Sequence, residues 1–422
     1  MKFIVKKSEI NGSIEIPGSK SHTIRSLFFA SLAKGNSKII KPLNSDDTKS
    51  ALMTCKAFGT KIETTQEEFY VTGNSEKFSI PDNIIDVGNS GTTLRIALGT
   101  ASLINGYTIF TGDSQIRNRP LNPLIEALNN LGANAFSAKQ NGKAPVVIKG
   151  KAMGGFTKLD AVSSQFLTSI LINAPLYEKD TTIELTRLNE KPYIDITLWW
   201  LNKLGIKYEN DNYKTFRIKG DQSYKNFNQI IPADFSSATF FFVLACISQG
   251  RIELKNLDMT DPQGDKEVLK ILEEMGAKVE YKTDSIIIEG KKLKGMEIDM
   301  NSIPDALPAM AVLGCFAEGE TKLLNVPQAR FKETDRIKVM YEELSKMGAK
   351  IRELEDGLII KNSKLSPTVV NGHHDHRVVM SLAIAGLNLI DETIVETAEA
   401  ASITFPNFPE LISMCKGNIK IL

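Results

Sequence analysis

The sequence predicts an α/β protein built from six copies of one unit of helices and strands. Three observations predict this class. Apolar residues at helical spacing followed by a glycine recur six times, a second apolar helix recurs in the other half of each unit, and most copies of that helix lead into a short β-branched strand. Because the repeat alternates helices with strands and is longer than a solenoid unit, we expect helices packed against sheets.

The recurring glycine sets the period of the repeat. The six copies are Gly59, Gly132, Gly205, Gly276, Gly348 and Gly417, at spacings of 73, 73, 71, 72 and 69 residues. A glycine after the last helical turn adopts the left-handed conformation that ends a helix, so each of these glycines is expected to adopt it before a strand.

The second helix of each unit is apolar over most of its surface, which is typical of a helix buried within a domain. Its copies span residues 23–33, 92–103, 165–176, 236–247, 306–317 and 377–387. The strands that follow are predicted at 37–40, 107–110, 181–185 and 251–254. Each unit therefore reads helix, strand, helix, strand, strand.

A polar segment at 220–232, halfway along the chain, is the candidate crossing between two domains of three units each. Residues 1–7 alternate apolar and charged side chains and predict a strand, which we expect to pair with the last unit. The expected domains are therefore residues 1–18 plus 230–422, which is discontinuous, and residues 19–229.

The charge balance excludes several classes of partner. The chain has 51 basic and 50 acidic side chains, so nothing global attracts it to nucleic acid or to an anionic membrane. No signal peptide and no run of roughly 18 apolar residues is present, which predicts a cytoplasmic protein. The four cysteines lie far apart in apolar patterns and are expected to be reduced and buried.

Polar and charged residues concentrate where the second helices begin. The first start, Pro17-Gly18-Ser19-Lys20-Ser21 with Arg25 one turn later, offers free N–H groups, hydroxyls and positive charge. Together these groups make an anion site, although a serine cap beside a solvated lysine explains this segment equally well on its own. The other starts are Gly88 to Arg95, Ser163-Ser164-Gln165, Asp234 to Ser237, Pro304-Asp305 and His374 to Arg377; Asp234 reads as a simple helix cap.

Two further charged segments precede helices. Arg117-Asn118-Arg119-Pro120 places two arginines before a helix expected to begin at the proline, and residues 330–336 hold five charges in seven positions. If the cations of the helix starts share one cleft they repel one another, since like charges at ~4 Å cost about 4 kcal/mol at an effective dielectric constant of 20. The pattern therefore predicts several anionic ligand groups, with Asp305 and Glu333 as acid and base candidates.

A metal site is not expected. His373, His374 and His376 are so close in sequence that they cannot all point at one ion.

The motifs together resemble the 5-enolpyruvylshikimate-3-phosphate synthase family over essentially the whole chain. They are Pro17-Gly18-Ser19-Lys20-Ser21, Gly88-Asn89-Ser90-Gly91-Thr92, Arg119-Pro120, Ser163-Ser164-Gln165-Phe166, Lys191-Pro192-Tyr193-Ile194-Asp195, Lys332-Glu333-Thr334-Asp335-Arg336, Asp375-His376-Arg377 and Phe405-Pro406. The resemblance implies two three-unit domains with an active site between them, and transfer of the enolpyruvyl group of phosphoenolpyruvate to the 5-hydroxyl of shikimate 3-phosphate. No metal or organic cofactor is implied, and we expect a monomer.

The resemblance also implies the roles of individual residues. Shikimate 3-phosphate would be bound by Lys20, Ser21, Arg25, Ser163, Ser164, Gln165, Tyr193, Asp305, Gln328 and Lys332. Phosphoenolpyruvate would be bound by Lys20, Asn89, Gly91, Arg119, Gln165, Arg336 and Arg377. Asp305 would take the proton of the 5-hydroxyl, while Glu333 and Lys20 would protonate the enol methylene group.

Four positions depart from the family pattern. Glu190 stands where the family commonly has a serine that contacts the shikimate phosphate, and Ile403 stands where a lysine is common. Gln328 stands where the family commonly has an asparagine. Ile96 stands where a proline often follows the arginine matched by Arg95. Glu190 and Ile403 motivate one alternative, a non-catalytic protein that binds phosphorylated ligands.

The second alternative is the sister family that acts on UDP-N-acetylglucosamine. That family carries a reactive cysteine after the position of Arg95, whereas no cysteine lies between Cys55 and Cys246 here. The absence disfavours this alternative.

Overall fold

A computed structural model describes residues 1–74 and 78–422. The chain forms two compact units. The discontinuous unit consists of Met1–Pro17 and Pro232–Leu422, and the continuous unit of Gly18–Ile231. Each unit has its own hydrophobic core.

Twelve α-helices lie within the described residues. They are α1 (Lys20–Leu32), α2 (Asp46–Ala57), α3 (Gly91–Ala101), α4 (Asn122–Asn130), α5 (Ser164–Asn173), α6 (Lys191–Lys203), α7 (Phe235–Ile247), α8 (Glu267–Met275), α9 (Leu307–Phe316), α10 (Arg336–Lys346), α11 (His376–Gly386) and α12 (Phe408–Met414). Short 3-10 helices cover Ile116–Asn118, Ala174–Leu176, Gly264–Lys266, Pro304–Ala306, Pro327–Phe331 and Ala398–Ile403.

The same residues contain 26 strands. The first thirteen are β1 (Phe3–Lys6), β2 (Asn11–Glu15), β3 (Ala33–Lys34), β4 (Asn36–Ile40), β5 (Lys61–Thr64), β6 (Glu68–Thr72), β7 (Ile85–Asp86), β8 (Tyr107–Thr111), β9 (Asn134–Ser137), β10 (Val146–Lys149), β11 (Gly155–Ala161), β12 (Thr181–Leu188) and β13 (Tyr208–Asp211). The others are β14 (Thr215–Ile218), β15 (Tyr224–Lys225), β16 (Asn228–Ile230), β17 (Arg251–Lys255), β18 (Lys278–Tyr281), β19 (Ser285–Glu289), β20 (Glu297–Asp299), β21 (Glu320–Leu324), β22 (Lys350–Leu354), β23 (Gly357–Lys361), β24 (Val369–Asn371), β25 (Thr393–Glu396) and β26 (Asn418–Ile421).

Six four-stranded sheets of the described chain share one pattern, a parallel pair extended by two antiparallel strands. The continuous unit holds β16-β4-β6-β5, β7-β8-β10-β9 and β11-β12-β14-β13, with a small β15-β3 pair. The discontinuous unit holds β18-β19-β17-β2, β20-β21-β23-β22 and β24-β25-β1-β26. The α/β class and the six repeats predicted from the sequence are confirmed.

The N-terminal strand pairs within the last sheet, as expected. β1 lies between β25 and β26, and Phe3 pairs with both Val395 and Ile421. The last sheet of the discontinuous unit therefore combines β1, from the first residues of the sequence, with β26, from the last ones.

The second helix of each repeat is the buried one. In α3, α7 and α11 every residue is buried, and α1, α5 and α9 are buried over most of their length. The first helices expose one face; in α8 the buried residues follow helical spacing from Val268 to Met275. The charged side chains of these buried helices lie within their first two turns.

Side chains cap most of these N-termini. Ser19, Ser90, Ser163, Asp234 and Asp375 each accept a hydrogen bond from a backbone N–H in the first turn of α1, α3, α5, α7 and α11. The expected cap at Asp234 is thereby confirmed. The sixth buried helix, α9, is entered through the 3-10 helix Pro304–Ala306 instead.

Two local expectations were wrong. Five of the six repeat glycines have positive φ, but at the sixth repeat Lys416 takes the left-handed conformation (φ 63°) and Gly417 does not. A Cβ at Gly417 would lie 2.9 Å from the Ile412 carbonyl oxygen, so close packing explains that glycine. The helix expected to begin at Pro120 is α4, which begins two residues later.

Among the described residues, no helix combines the length and apolar character needed to cross a membrane.

Replacing Gly276 with alanine should lower the free energy of unfolding by roughly 1–2 kcal/mol, because its φ of 114° is unfavourable for a residue with a Cβ. The added Cβ would also lie 3.0 Å from the Lys292 carbonyl oxygen. Urea denaturation, followed through the unfolding transition of the discontinuous unit, measures this change in the free energy of unfolding. The matched change Lys416→Gly keeps the left-handed turn and should shift the unfolding free energy by less than about 1 kcal/mol. Equal losses in both variants would contradict this account.

Candidate active site

In the discontinuous unit, Arg336 is the first residue of α10 and only 1% of its side chain is exposed. Its Nε donates to Asp375 Oδ2 at 2.8 Å and its Nη2 to Asp375 Oδ1 at 3.3 Å, a two-point contact that fixes the plane of the guanidinium. Asp375 caps α11 and is itself fully buried. The pair therefore joins the starts of two helices from successive repeats.

Two more carboxylates complete the surroundings of Arg336. Nη1 donates to Asp305 Oδ1 at 2.9 Å and Nη2 to Glu333 Oε2 at 2.6 Å. Burial alone would lower the pKa of Arg336, but the charges of Asp375, Glu333 and Asp305 raise it above its ordinary value. The guanidinium is thus permanently charged and held in one orientation.

Asp305 is shared among three cations. Besides Arg336, its Oδ2 lies 2.9 Å from Arg377 Nη2 and its Oδ1 lies 3.6 Å from Lys332 Nζ. The predicted residues Asp305, Glu333, Lys332, Arg336 and Arg377 are therefore brought together within this unit.

This cluster corrects the expectation that the cations repel one another until a ligand arrives. Within the discontinuous unit, Asp305, Glu333 and Asp375 already balance Arg336 and Arg377. The sequence shows Asp375 at a helix start, but it does not indicate that Asp375 contacts Arg336, 39 positions away.

Gln328 does not join the Arg336 cluster. It is buried in the 3-10 helix Pro327–Phe331, and its Nε2 donates to the Asn301 carbonyl oxygen at 3.1 Å. Its amide is thus oriented by the neighbouring loop.

In the continuous unit, Arg25 is a buried cation surrounded by neutral acceptors. Its guanidinium donates to Thr197 Oγ1 at 2.9 Å, to the Tyr193 carbonyl oxygen at 3.0 Å, to the Ser21 carbonyl oxygen at 3.1 Å and to Thr168 Oγ1 at 3.3 Å. Burial lowers the pKa of Arg25 to about 10, with a smaller opposite effect from Tyr193. None of the ion pairs in the described residues includes Arg25, so an anionic ligand would stabilise its charge.

The start of α5 carries an internal anion. Ser163 caps the helix, while the backbone N–H and the hydroxyl of Ser164 both donate to Glu190 Oε2, at 3.3 and 2.8 Å. Glu190 is 2% exposed and adopts a left-handed conformation before α6. Glu190, which departs from the family pattern, therefore places its carboxylate against two donors of Ser164, a predicted ligand of shikimate 3-phosphate.

Gln165 is fixed by two neighbours. Its Oε1 accepts a hydrogen bond from Arg95 Nη1 and its Nε2 donates to Thr92 Oγ1 at 3.0 Å. A Cβ at Gly91 would lie 2.5 Å from Arg119 Nη1 and 3.0 Å from Arg95 Nη1, so a larger residue there would displace the ends of these two side chains.

The remaining predicted residues are also held by polar partners. Asn89 Oδ1 accepts from Arg119 Nη2 at 3.4 Å, and its Nδ2 donates to Asp113 at 2.6 Å. Lys20 Nζ lies 3.1 Å from Asp47 Oδ2, and both side chains are largely buried.

Three residues that contact the predicted ones received no role from the sequence: Arg95 and Asp375, which lie within its motifs, and Asp47, which does not. Arg95 lies one helical turn after Gly91, a spacing that places both on one face of α3. Asp47 reads as an ordinary acidic residue in the first turn of α2, so it carried no distinguishing signal.

Comparison with known proteins gives consistent matches. The family model of EPSP synthase (3-phosphoshikimate 1-carboxyvinyltransferase) matches residues 4–412. The 3-phosphoshikimate 1-carboxyvinyltransferases of Ruminiclostridium cellulolyticum and Acetivibrio thermocellus are 60% and 61% identical over 99% of both chains. The structure of an EPSP synthase from Acinetobacter baumannii superposes with a TM-score of 0.84 at 27% identity, covering 99% of each chain.

These matches identify an enzyme of the transferase class. The chain belongs to the EPSP synthase family, which confirms the resemblance found in its motifs. Nothing in the comparisons favours the sister family or a non-catalytic relative. The four cysteines are buried and form no disulfide. Burial raises the pKa of Cys55, Cys246, Cys315 and Cys415 to about 12, and this disfavours a nucleophilic thiolate.

Replacing Arg336 and Arg25, two arginines of which only 1% is exposed, with methionine should affect stability differently. Arg336→Met leaves three carboxylates facing a neutral side chain and should cost about 3–5 kcal/mol of unfolding free energy. Arg25→Met also removes an unbalanced buried charge, so its cost should be at least about 2 kcal/mol smaller. Denaturant unfolding without ligands tests the difference. A larger loss for Arg25→Met than for Arg336→Met would contradict the assignment of their charge environments.

Proposed function

We propose that this chain transfers the enolpyruvyl group of phosphoenolpyruvate to the 5-hydroxyl of shikimate 3-phosphate, releasing phosphate, in the biosynthesis of aromatic compounds. The observation that carries the proposal is the match to the EPSP synthase family over residues 4–412. The cations at the helix starts support it, because both substrates are multiply anionic.

For shikimate 3-phosphate, the proposed ligands in the continuous unit are Lys20, Ser21, Arg25, Ser163, Ser164, Gln165 and Tyr193. Arg25 supports this assignment most strongly, since a phosphate would supply the anion that the buried guanidinium lacks. Asp305, Gln328 and Lys332 are the proposed contributions of the discontinuous unit. The hydrogen bond from Gln328 Nε2 to the Asn301 carbonyl oxygen would fix the plane of its amide for this contact.

For phosphoenolpyruvate, the proposed ligands are Lys20, Asn89, Gly91, Arg119, Gln165, Arg336 and Arg377. Gly91 begins α3, and the N–H groups at a helix start favour an anion, which supports its inclusion. Arg336 and Arg377 share Asp305, and a phosphate or carboxylate near them would compete for these cations.

The proposed chemistry uses the same charges. As Asp305 removes the proton of the 5-hydroxyl, the oxygen bonds to C2 of phosphoenolpyruvate while the methylene carbon gains a proton from Glu333 or Lys20, giving a tetrahedral intermediate. Loss of phosphate and of a methyl proton then restores the enol double bond. Arg336 orients both Asp305 and Glu333, since it donates to each of them.

The other features of the proposal follow from the predicted class of enzyme. We propose that residues 1–18 plus 230–422 and residues 19–229 are two domains whose ligand sets serve one reaction. We also propose a cytoplasmic monomer that requires no cofactor and binds neither nucleic acid nor membranes. Among the described residues, no group of His, Cys, Asp or Glu side chains has the arrangement of a metal site.

The proposed function is tested by mixing the protein with phosphoenolpyruvate and shikimate 3-phosphate and measuring phosphate release. Asp305→Ala should lower kcat by about 10²–10⁴-fold, because the proposed base is lost. Asp258→Ala is the matched control, since Asp258 accepts from the backbone N–H and hydroxyl of Thr260 on the surface and its loss should leave kcat unchanged. Release of phosphate from phosphoenolpyruvate when UDP-N-acetylglucosamine, but not shikimate 3-phosphate, is the acceptor would identify the sister reaction. Binding of both substrates without release would identify a non-catalytic protein.

Glu190→Gln should strengthen binding of shikimate 3-phosphate by about tenfold, because the carboxylate that occupies the donors of Ser164 would repel a phosphate. Glutamine keeps the size and one acceptor oxygen, so the change isolates the charge. Titration calorimetry with shikimate 3-phosphate measures the affinity, and Glu184→Gln on the neighbouring strand β12 controls for net charge. Weaker binding in Glu190→Gln alone would show that the carboxylate supports the site.

A further inference from the structure

The segment from Asn371 to Arg377 connects β24 to α11 and carries two residues of the candidate site, Asp375 and Arg377. It contains two successive residues in the left-handed conformation, His373 (φ 51°) and His374 (φ 55°). Residues with a Cβ adopt this conformation rarely, and it persists only where the surroundings enforce it. The cause of this conformation therefore bears on how the two site residues are placed.

Glu343, on α10, is the group that holds the first half of the segment. Its side chain is fully buried, yet its Oε2 accepts from the Asn371 backbone N–H at 3.0 Å and its Oε1 lies 2.7 Å from His373 Nε2. Lys346 Nζ lies 2.7 Å from the same Oε1. Burial would raise the pKa of Glu343, but the hydrogen bonds from His373, Lys346 and Asn371 lower it overall, so the carboxylate stays charged.

The second half of the segment is held by the same helix. Arg336, the first residue of α10, binds Asp375 through two nitrogen atoms. Glu343 follows seven residues later, about two helical turns along α10. Two charged residues of one helix thus fix the segment at both ends.

Arg377 takes its position from this segment. Its backbone N–H donates to Asp375 Oδ1 at 2.9 Å, and its guanidinium lies 2.9 Å from Asp305. A displacement at His373 would therefore change where both Asp375 and Arg377 lie.

We propose that Glu343 and His373 are positioning residues for the reaction, which hold the Asn371–Arg377 segment so that Arg377 meets phosphoenolpyruvate. This inference rests on the proposed function, because it assigns that ligand to Arg377. It also gives a role to His373, which the sequence presented only as part of a histidine cluster.

The test compares two substitutions at His373, whose side chain is 35% exposed and is expected to tolerate change. His373→Gly removes the donor to Glu343 but favours the left-handed backbone. His373→Gln keeps an N–H donor near the position of Nε2. We expect His373→Gly to raise KM for phosphoenolpyruvate by about 10–100-fold. His373→Gln should reverse at least about a tenth of that rise in KM, because it keeps an N–H donor to Glu343.

A matched pair on α10 tests the carboxylate. Glu343→Gln should raise KM for phosphoenolpyruvate in the same direction, whereas Glu342→Gln, at a half-exposed neighbour paired with Lys338, should behave as the unchanged protein. The affinity for shikimate 3-phosphate should change less than about twofold in all four variants, since its proposed ligands lie mainly in the continuous unit.

The outcomes separate positioning from a merely structural role. Local or global unfolding removes active molecules and so lowers kcat at constant KM, together with the melting temperature. If His373→Gly does this, or if it leaves KM for phosphoenolpyruvate unchanged, the inference is wrong. Absence of turnover in both the unchanged protein and Glu342→Gln would instead overturn the proposed function.

Discussion

The guanidinium of Arg336 is the interaction on which the candidate site of the discontinuous unit depends. A buried cation is stable only when anions surround it, and here three carboxylates do so: Asp305 before α9, Glu333 before α10 and Asp375 at the start of α11. Asp305 and Glu333 come from one repeat and Asp375 from the next. One buried charge therefore fixes several helix starts relative to one another, and with them the acid and base candidates.

The two units solve the same electrostatic problem differently. In the discontinuous unit, Arg336 and Arg377 are balanced by carboxylates of the chain itself. In the continuous unit, Arg25 is buried among neutral oxygens, and its pKa falls to about 10 as a consequence. Glu190 occupies two donors at the start of α5. An anionic substrate would thus compete with Glu190 for the donors of Ser164, whereas at Arg25 it would meet a buried cation among neutral acceptors.

Much of the fold could be predicted from the sequence because its signals are local and repeated. The glycines that end helices, the apolar second helices and the charged helix starts each recur at a nearly constant spacing. Gly417 shows the limit of that reasoning. A glycine can be required by a positive φ or by close packing, and the sequence alone does not distinguish the two.

The site was predicted less completely, because its geometry depends on contacts between distant residues. Lys332, Glu333 and Arg336 stand together in one motif, and so their proximity is visible in the sequence. The contact of Asp375 with Arg336 spans 39 positions and becomes visible only in the folded chain. The same holds for Asp47 beside Lys20.

The central claim is that the charged helix starts of both units bind the two substrates of one reaction. The most direct measurement is a crystal structure of an inactive Asp305→Asn variant grown with phosphoenolpyruvate and shikimate 3-phosphate. The account predicts the shikimate phosphate within hydrogen-bond distance of Arg25 and Ser164, and phosphoenolpyruvate within hydrogen-bond distance of Arg336 and Arg377. Clear density for either substrate away from these residues would contradict it.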